Sequence, residues 1–142
     1  MPLPESIHLE IVTPEKRLAN EVVDEVVLPG SEGSLGVLPG HTPLLATLGI
    51  GELMYRRGAT RHRLAIAWGF AEVLPDRVSI LAEIAESAEG IDRDRALKAR
   101  DRAVARLAGR SPDTDFKRAQ TALQKAIIRL QIASGVGPNE PS

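Results

Sequence analysis

Cysteine is missing from all 142 residues. That excludes disulfide staples and thiolate metal centres, and it fits a reducing compartment. Aromatic residues are only 3% of the chain, one Trp, one Tyr and two Phe, against an apolar share of 43%. The core therefore has to be built from Val, Ile, Leu and Ala. No apolar run approaches the ~18–20 residues that cross a bilayer. The start, Met1-Pro2-Leu3-Pro4-Glu5-Ser6, lacks the basic and apolar parts of a signal peptide. The chain is expected to be soluble and unsecreted, with any relation to a membrane carried by a partner. Conventional catalytic signatures are also missing: there is no GxSxG, no HExxH and no GK[ST]. Gly30, Gly33 and Gly36 form GxxGxxG, which is not the dinucleotide fingerprint and reads as a set of turn formers. His8, His41 and His62 stand at no metal-ligand spacing. The expectation is a protein without its own catalytic site, metal site or required cofactor.

What is present is a change of period. From Ile7 to Ala85 apolar residues alternate with polar ones. The runs around Ile7-Leu9-Ile11, Val22–Leu28, Leu53–Tyr55, Arg61–Trp68, Gly69–Leu74 and Arg77–Ala82 are separated by Gly, Pro and Asp turns. Short strands with turn signals every 8–12 residues predict an antiparallel β-sandwich. The densest turn signal lies between Leu28 and Leu44, where four glycines and three prolines are set among Leu35, Val37 and Leu38. Glycine supplies positive φ and proline fixes φ near −65°, so this run is a shaped, rigid surface suited to docking.

After Glu83 the period becomes helical. Asp92 is placed to cap a helix in which Ala96, Ala99, Ala103 and Leu107 form one stripe, and Gly109 is placed to end it. A second helix is predicted from about Asp115 to Ala133, with Phe116, Ala119, Leu123, Ala126, Ile127, Leu130 and Ala133 on its stripe. A link of about six residues makes the pair an antiparallel hairpin. Residues from Gly135 to Ser142 read as a frayed tail. The fold class is thus β + α: an N-terminal sandwich over residues 1–86 and a C-terminal helical hairpin over residues 87–142. Alanine buries little area, so at roughly 25 cal/mol per Å² the hairpin is weakly held and able to come away.

Charge divides along the same boundary. Residues 1–85 hold eleven acidic and seven basic side chains, and residues 86–142 hold eight and eleven. A basic appendage behind an acidic body points to different partners for the two parts. The helix arginines and lysines read either as a solvated face or as a surface for an acidic protein or a phosphate-bearing ligand. Nucleic acid is disfavoured because acidic residues interleave and stacking aromatics are missing. His8 and His62 read as outward strand residues. His41 reads as a buried histidine pinning its turn, with catalysis as the alternative.

Gly33-x-x-Gly36-Val37-Leu38-Pro39-x-His41-x-Pro43-Leu44-Leu45, then Gly69-Phe70-Ala71-Glu72-Val73, Ile91-Asp92-x-x-Arg95-Ala96 and Asp115-Phe116-x-Arg118-Ala119 resemble the ε subunit family of bacterial F-type ATP synthases. The resemblance runs from Ile7 to Leu130. It implies a non-catalytic subunit of the central rotor stalk, peripheral to the cytoplasmic face of the bacterial cell membrane and coupled to proton flow. Its sandwich would pack on the γ subunit, with Ser31, Glu32, Gly33, Ser34, Leu35, Gly40 and His41 near γ and the c-ring. Its helices would extend into the head and block ATP hydrolysis, with Arg118, Lys125 and Arg129 meeting acidic segments of the α and β subunits. Ile91-Asp92-x-x-Arg95-Ala96 also resembles the regulatory ATP motif of some of these subunits. By position that site would comprise Glu86, Ile91, Asp92, Arg95, Ala96, Arg102, Arg118, Lys125 and Arg129, with lysine at 125 where an arginine fork is usual. The competing reading is structural: Asp92 caps the helix and Arg95 pairs with it or with Asp94. Two other functions stand beside the rotor subunit, a free-standing nucleotide sensor built on the helices and an enzyme relying on His41.

Overall fold

The computed structural model describes residues 3–109 and 114–135. The chain forms two compact units, one ending at Ala85 and one beginning at Glu86. The first is all β: β1 (Ile7–Val12), β2 (Arg17–Val23), β3 (Glu25–Gly30), β4 (Gly33–Val37), β5 (Leu44–Arg57), β6 (Thr60–Leu74) and β7 (Arg77–Ser87). A 3-10 turn at Ala88–Gly90, α1 (Arg93–Ala108) and α2 (Phe116–Ser134) follow. The expected order, β-sandwich and then two helices, is the observed one.

The seven strands form one sheet in the order β2-β1-β7-β6-β5-β3-β4. It is rolled into a sandwich, because Tyr55 on β5 hydrogen-bonds Glu21 on β2, with three strands between them in that order. One apolar cluster lines the inside, with Ile7, Leu9 and Ile11 of β1, Val26 and Leu28 of β3 and Val78 and Ile80 of β7 fully enclosed. Alternation explains the choice, since His8 and Glu10 take the other phase of β1. The hairpin ladders β1–β2, β3–β4 and β5–β6 are antiparallel, as is β3–β5. β1 and β7 pair in parallel, Leu9 opposite Val78 and Ile11 opposite Ile80. Turn signals predict only the antiparallel neighbours they connect, and these two strands are joined by the whole of the intervening chain.

β6 holds a feature that alternation does not predict. Its core-facing residues are Leu64 and Ile66 before Trp68, and Ala71 and Val73 after it. The inward phase has slipped by one. Trp68 sits at φ 59° and Gly69 at φ 132°, and this pair takes up the extra residue as a bulge does. Its paired strand changes phase at the same level, from Leu48 to Leu53 and Tyr55. Gly69 has no substitute here: a Cβ would lie 2.0 Å from the Leu81 carbonyl oxygen and 2.8 Å from Ala82 Cα. Arg61–Trp68 and Gly69–Leu74 are accordingly one bent strand rather than two.

In the second unit both helices start on an aspartate. Asp92 Oδ1 accepts the Arg95 amide at 3.0 Å, and Asp115 Oδ1 accepts the Arg118 amide at 3.0 Å. These carboxylates satisfy amides that the first turn leaves open and face the positive end of the helix dipole. Gly109 ends α1 with its amide on the Ala105 carbonyl, and Gly135, left-handed at φ 73°, ends α2. The buried helix residues are Ala96 and Ala103 on α1 and Ala119, Ala126 and Ile132 on α2. Residues 110–113 of the link and 136–142 of the expected tail lie outside the described residues.

Candidate docking face and anion site

The turn-rich run builds a β3–β4 hairpin with Ser31 and Glu32 at its tip, where Gly30 pairs with Gly33. Gly33 takes φ 132°, a conformation that side chains rarely adopt. The tip is pinned to β5: the Ser31 amide donates to the Thr47 carbonyl at 2.9 Å, and the two hydroxyls lie 2.5 Å apart. Ser31, Glu32, Gly33 and Ser34 are exposed and Leu35 is half-buried. Farther along, the Gly40 amide donates to the Pro75 carbonyl at 2.7 Å. This run is rigid because each turn is tied to a neighbouring strand or turn. His41 is not the buried pin expected of it. It is half-exposed, and its Nδ1 donates only to the adjacent Thr42 carbonyl at 2.7 Å. Its ring bonds within its own turn and to no other strand among the described residues, so it does not fasten the turn to the sheet. His8 and His62 are exposed as expected.

Beside this hairpin lies a surface that turn chemistry does not reveal. Leu45 is 70% exposed, Phe70 52% and Leu81 57%. Phe70 faces Thr47 across β5–β6, and Leu81 pairs with Val12 across β7–β1. Monomeric surfaces seldom keep such a band of large apolar side chains in water, and one continuous with a rigid hairpin marks a contact surface. The available signal was the outward phase itself: Leu45 and Phe70 occupy the phase that also carries Thr47 and Glu72.

The helical unit gathers charge on a small scale. Arg129 Nε donates to Glu86 Oε1 at 2.7 Å, each side chain about a third exposed. Arg95, Arg102, Arg118 and Lys125 each directly precede a buried alanine: Ala96, Ala103, Ala119 and Ala126. The helices pack together and the link is short, so they run antiparallel. Arg95, Arg102 and Arg118 are exposed, and a guanidinium fork matches phosphate oxygens.

Of the nine residues expected at a nucleotide site, the structure joins Glu86 to Arg129, and Arg95, Arg102 and Arg118 are exposed on their helices. Ile91 is half-buried just before Asp92. Ala96 is 3% exposed, so its contribution is to keep the seam narrow. Asp92 accepts the Arg95 amide, which is the helix cap of the structural reading. It leaves the exposed Arg95 guanidinium directed by other forces.

Among the described residues no group of three or more His, Cys, Asp or Glu could hold a metal, and no helix is long and apolar enough to cross a membrane.

Comparison with known proteins accounts for both units. Residues 6–88 match the family described as ATP synthase, Delta/Epsilon chain, beta-sandwich domain. Residues 89–134 match ATP synthase, Delta/Epsilon chain, long alpha-helix domain. The ATP synthase epsilon chain of Syntrophobacter fumaroxidans is 56% identical over 129 residues, covering 91% of this chain and 96% of the relative. That of Nitratidesulfovibrio vulgaris is 51% identical over 127 residues, covering 89% and 95%. A chain from the cryo-EM structure of the Euglena gracilis mitochondrial ATP synthase (OSCP/F1/c-ring, rotational state 1) superposes with a TM-score of 0.81 at 26% identity. That superposition covers 94% of this chain and 84% of the other. With both units matched and relatives more than half identical across nearly their whole length, the chain belongs to the ATP synthase delta/epsilon family.

Proposed function

We propose that this chain is the non-catalytic central-stalk subunit of a proton-translocating ATP synthase, peripheral to the cytoplasmic face of the bacterial cell membrane. Its sandwich docks on the γ subunit and the c-ring, and its helical hairpin restrains ATP hydrolysis by reaching toward the α and β subunits of the head. The observation that carries the reading is the exposed apolar band of Leu45, Phe70 and Leu81 beside the pinned Ser31–Leu35 hairpin. A rotor part must grip its neighbours firmly, and this is the surface built for it. The match to a chain from an assembly containing F1 and a c-ring supports the same partners. The test is to delete residues beyond Ala88 and assay the reassembled complex. Association with γ should persist and ATP hydrolysis should rise. Unchanged hydrolysis would remove the inhibitory role, and loss of association would remove the sandwich as the docking unit.

A regulatory ATP site on the hairpin is a second reading, favoured by the exposed arginines at 95, 102 and 118 on its two packed helices. It also covers a free-standing nucleotide sensor. Calorimetry on the isolated chain decides it: ATP should bind more tightly than ADP, because the extra phosphate adds negative charge for the arginines to meet. No heat and no thermal shift at millimolar ATP would reject it.

A further inference from the structure

The far end of the β5–β6 hairpin collects charge of one sign. Residues 1–85 hold seven basic side chains, and four of them, Arg56, Arg57, Arg61 and Arg63, fall within eight residues here. Two are spent inside the fold. Arg56 donates from Nε to Glu25 at 3.3 Å and from Nη1 to the Gly58 carbonyl at 3.0 Å, and Arg63 pairs with Glu52 at 3.1 Å. Arg57 and Arg61 are exposed and have no ion pair or side-chain hydrogen bond among the described residues. Arg61 stands directly opposite Arg56 on the ladder, and like charges so placed weaken a sheet. The turn does not depend on them. Gly58, left-handed at φ 61°, donates its amide to Asp24 Oδ2 at 2.7 Å and fixes the tip against the start of β3.

Placement narrows the partner. Side chains alternate along a strand, so Arg57 shares the face of Tyr55 while Arg61 shares the other face with Arg56. The two guanidinium groups flank the tip rather than converge, which suits carboxylates on two walls of a cleft better than one phosphate. Between them Gly58, Ala59 and Thr60 offer no large apolar group to enter a bilayer. The tip also lies at the opposite end of β5 from Thr47, where the Ser31 hairpin is pinned, roughly 30 Å away. It can therefore engage a second neighbour while the band of Leu45, Phe70 and Leu81 holds the first. The rest of the sandwich carries more acidic than basic side chains, so an acidic partner is repelled elsewhere and steered to this end.

We propose that the β5–β6 tip sets Arg57 and Arg61 between the walls of an acidic cleft on a second protein of the assembly. This rests on the docking reading above for the first contact. The chain has no cysteine, so Ala59→Cys supplies a single thiol for a benzophenone cross-linker at the tip. The intact labelled chain is reassembled with the ATP synthase complex, illuminated, and the attached peptide identified by mass spectrometry. That peptide should be rich in Asp and Glu. Adding Arg57→Gln and Arg61→Gln should cut the yield at least about fivefold, and the lysine pair should recover part of it. The yield should also fall as salt rises. The glutamine pair should melt at the same temperature as the unmutated tip or higher, because the repulsion between Arg56 and Arg61 is gone. A cross-link to lipid, to a peptide without carboxylates or to nothing overturns the proposal. So does a yield from the glutamine pair within about twofold of the unmutated tip, or a lower melting temperature, which would make the arginines structural supports. Co-purification of the unlabelled chain with the complex is scored separately. Its failure overturns the docking reading and the second contact with it, whereas co-purification without a tip cross-link overturns the second contact alone.

Discussion

Arg129 on α2 donates through Nε to Glu86 at the end of β7 at 2.7 Å, closing a loop of 43 residues. The two residues belong to the proposed nucleotide site, yet they satisfy each other. With each side chain about a third exposed, the pair is worth about 1 kcal/mol. Replacing Arg129 with Met should loosen α2 and weaken any polyphosphate binding. Glu86→Gln should loosen α2 by a similar amount but leave polyphosphate affinity equal or higher, because Arg129 is released. Hydrogen exchange of the α2 amides and ATP titration separate the two outcomes.

Each aspartate cap should be separately measurable. Asp92→Ala and Asp115→Ala should each cost about 1 kcal/mol, while Asp115→Asn should cost much less because asparagine caps nearly as well. Denaturant titration followed by far-ultraviolet circular dichroism is the measurement.

Gly69→Ala should be among the most damaging single changes to the sandwich. Its methyl would meet the Leu81 carbonyl at 2.0 Å with φ already at 132°. A loss of about 3 kcal/mol or more is expected, because rigid backbone stands on the far side of the clash. Soluble yield and melting temperature report it.

Tyr55 gives the sandwich an alkaline weakness. Burial, the charge of Glu21 and the hydrogen bond to Glu21 push its hydroxyl up to about 12. An unfolded tyrosine ionises near 10. Between about pH 10 and 12 the unfolded chain releases a proton that the folded chain keeps, so stability is full below that window and falls through it. Tyr55→Phe should be less stable at neutral pH by about 1 kcal/mol, having lost the bond to Glu21. Its stability should stay flatter across the window, as pH-dependent denaturation would record.

Much of this architecture is legible in the sequence because local chemistry dictates it. Asp92 and the alanines at 96, 103, 119 and 126 announce capped helices with a narrow seam, and the glycines and prolines between Leu28 and Leu44 announce turns. What stays hidden depends on residues far apart in the chain. The parallel pairing of β1 with β7 has no turn to declare it. The phase slip at Trp68 reverses the inside and outside of β6 without changing its composition, and it leaves Phe70 half in water. Glu86 and Arg129 are assigned to a ligand by resemblance, and only the folded unit reveals that they hold each other.

The alanine seam has one more implication. A methyl group has no rotamers to choose among, so two helices that meet through Ala96, Ala103, Ala119 and Ala126 have almost nothing to rearrange on parting and nothing to search for on returning. Such a joint wears no memory of its last position. It can close and reopen at the pace of its surroundings, with little hysteresis between the two strokes.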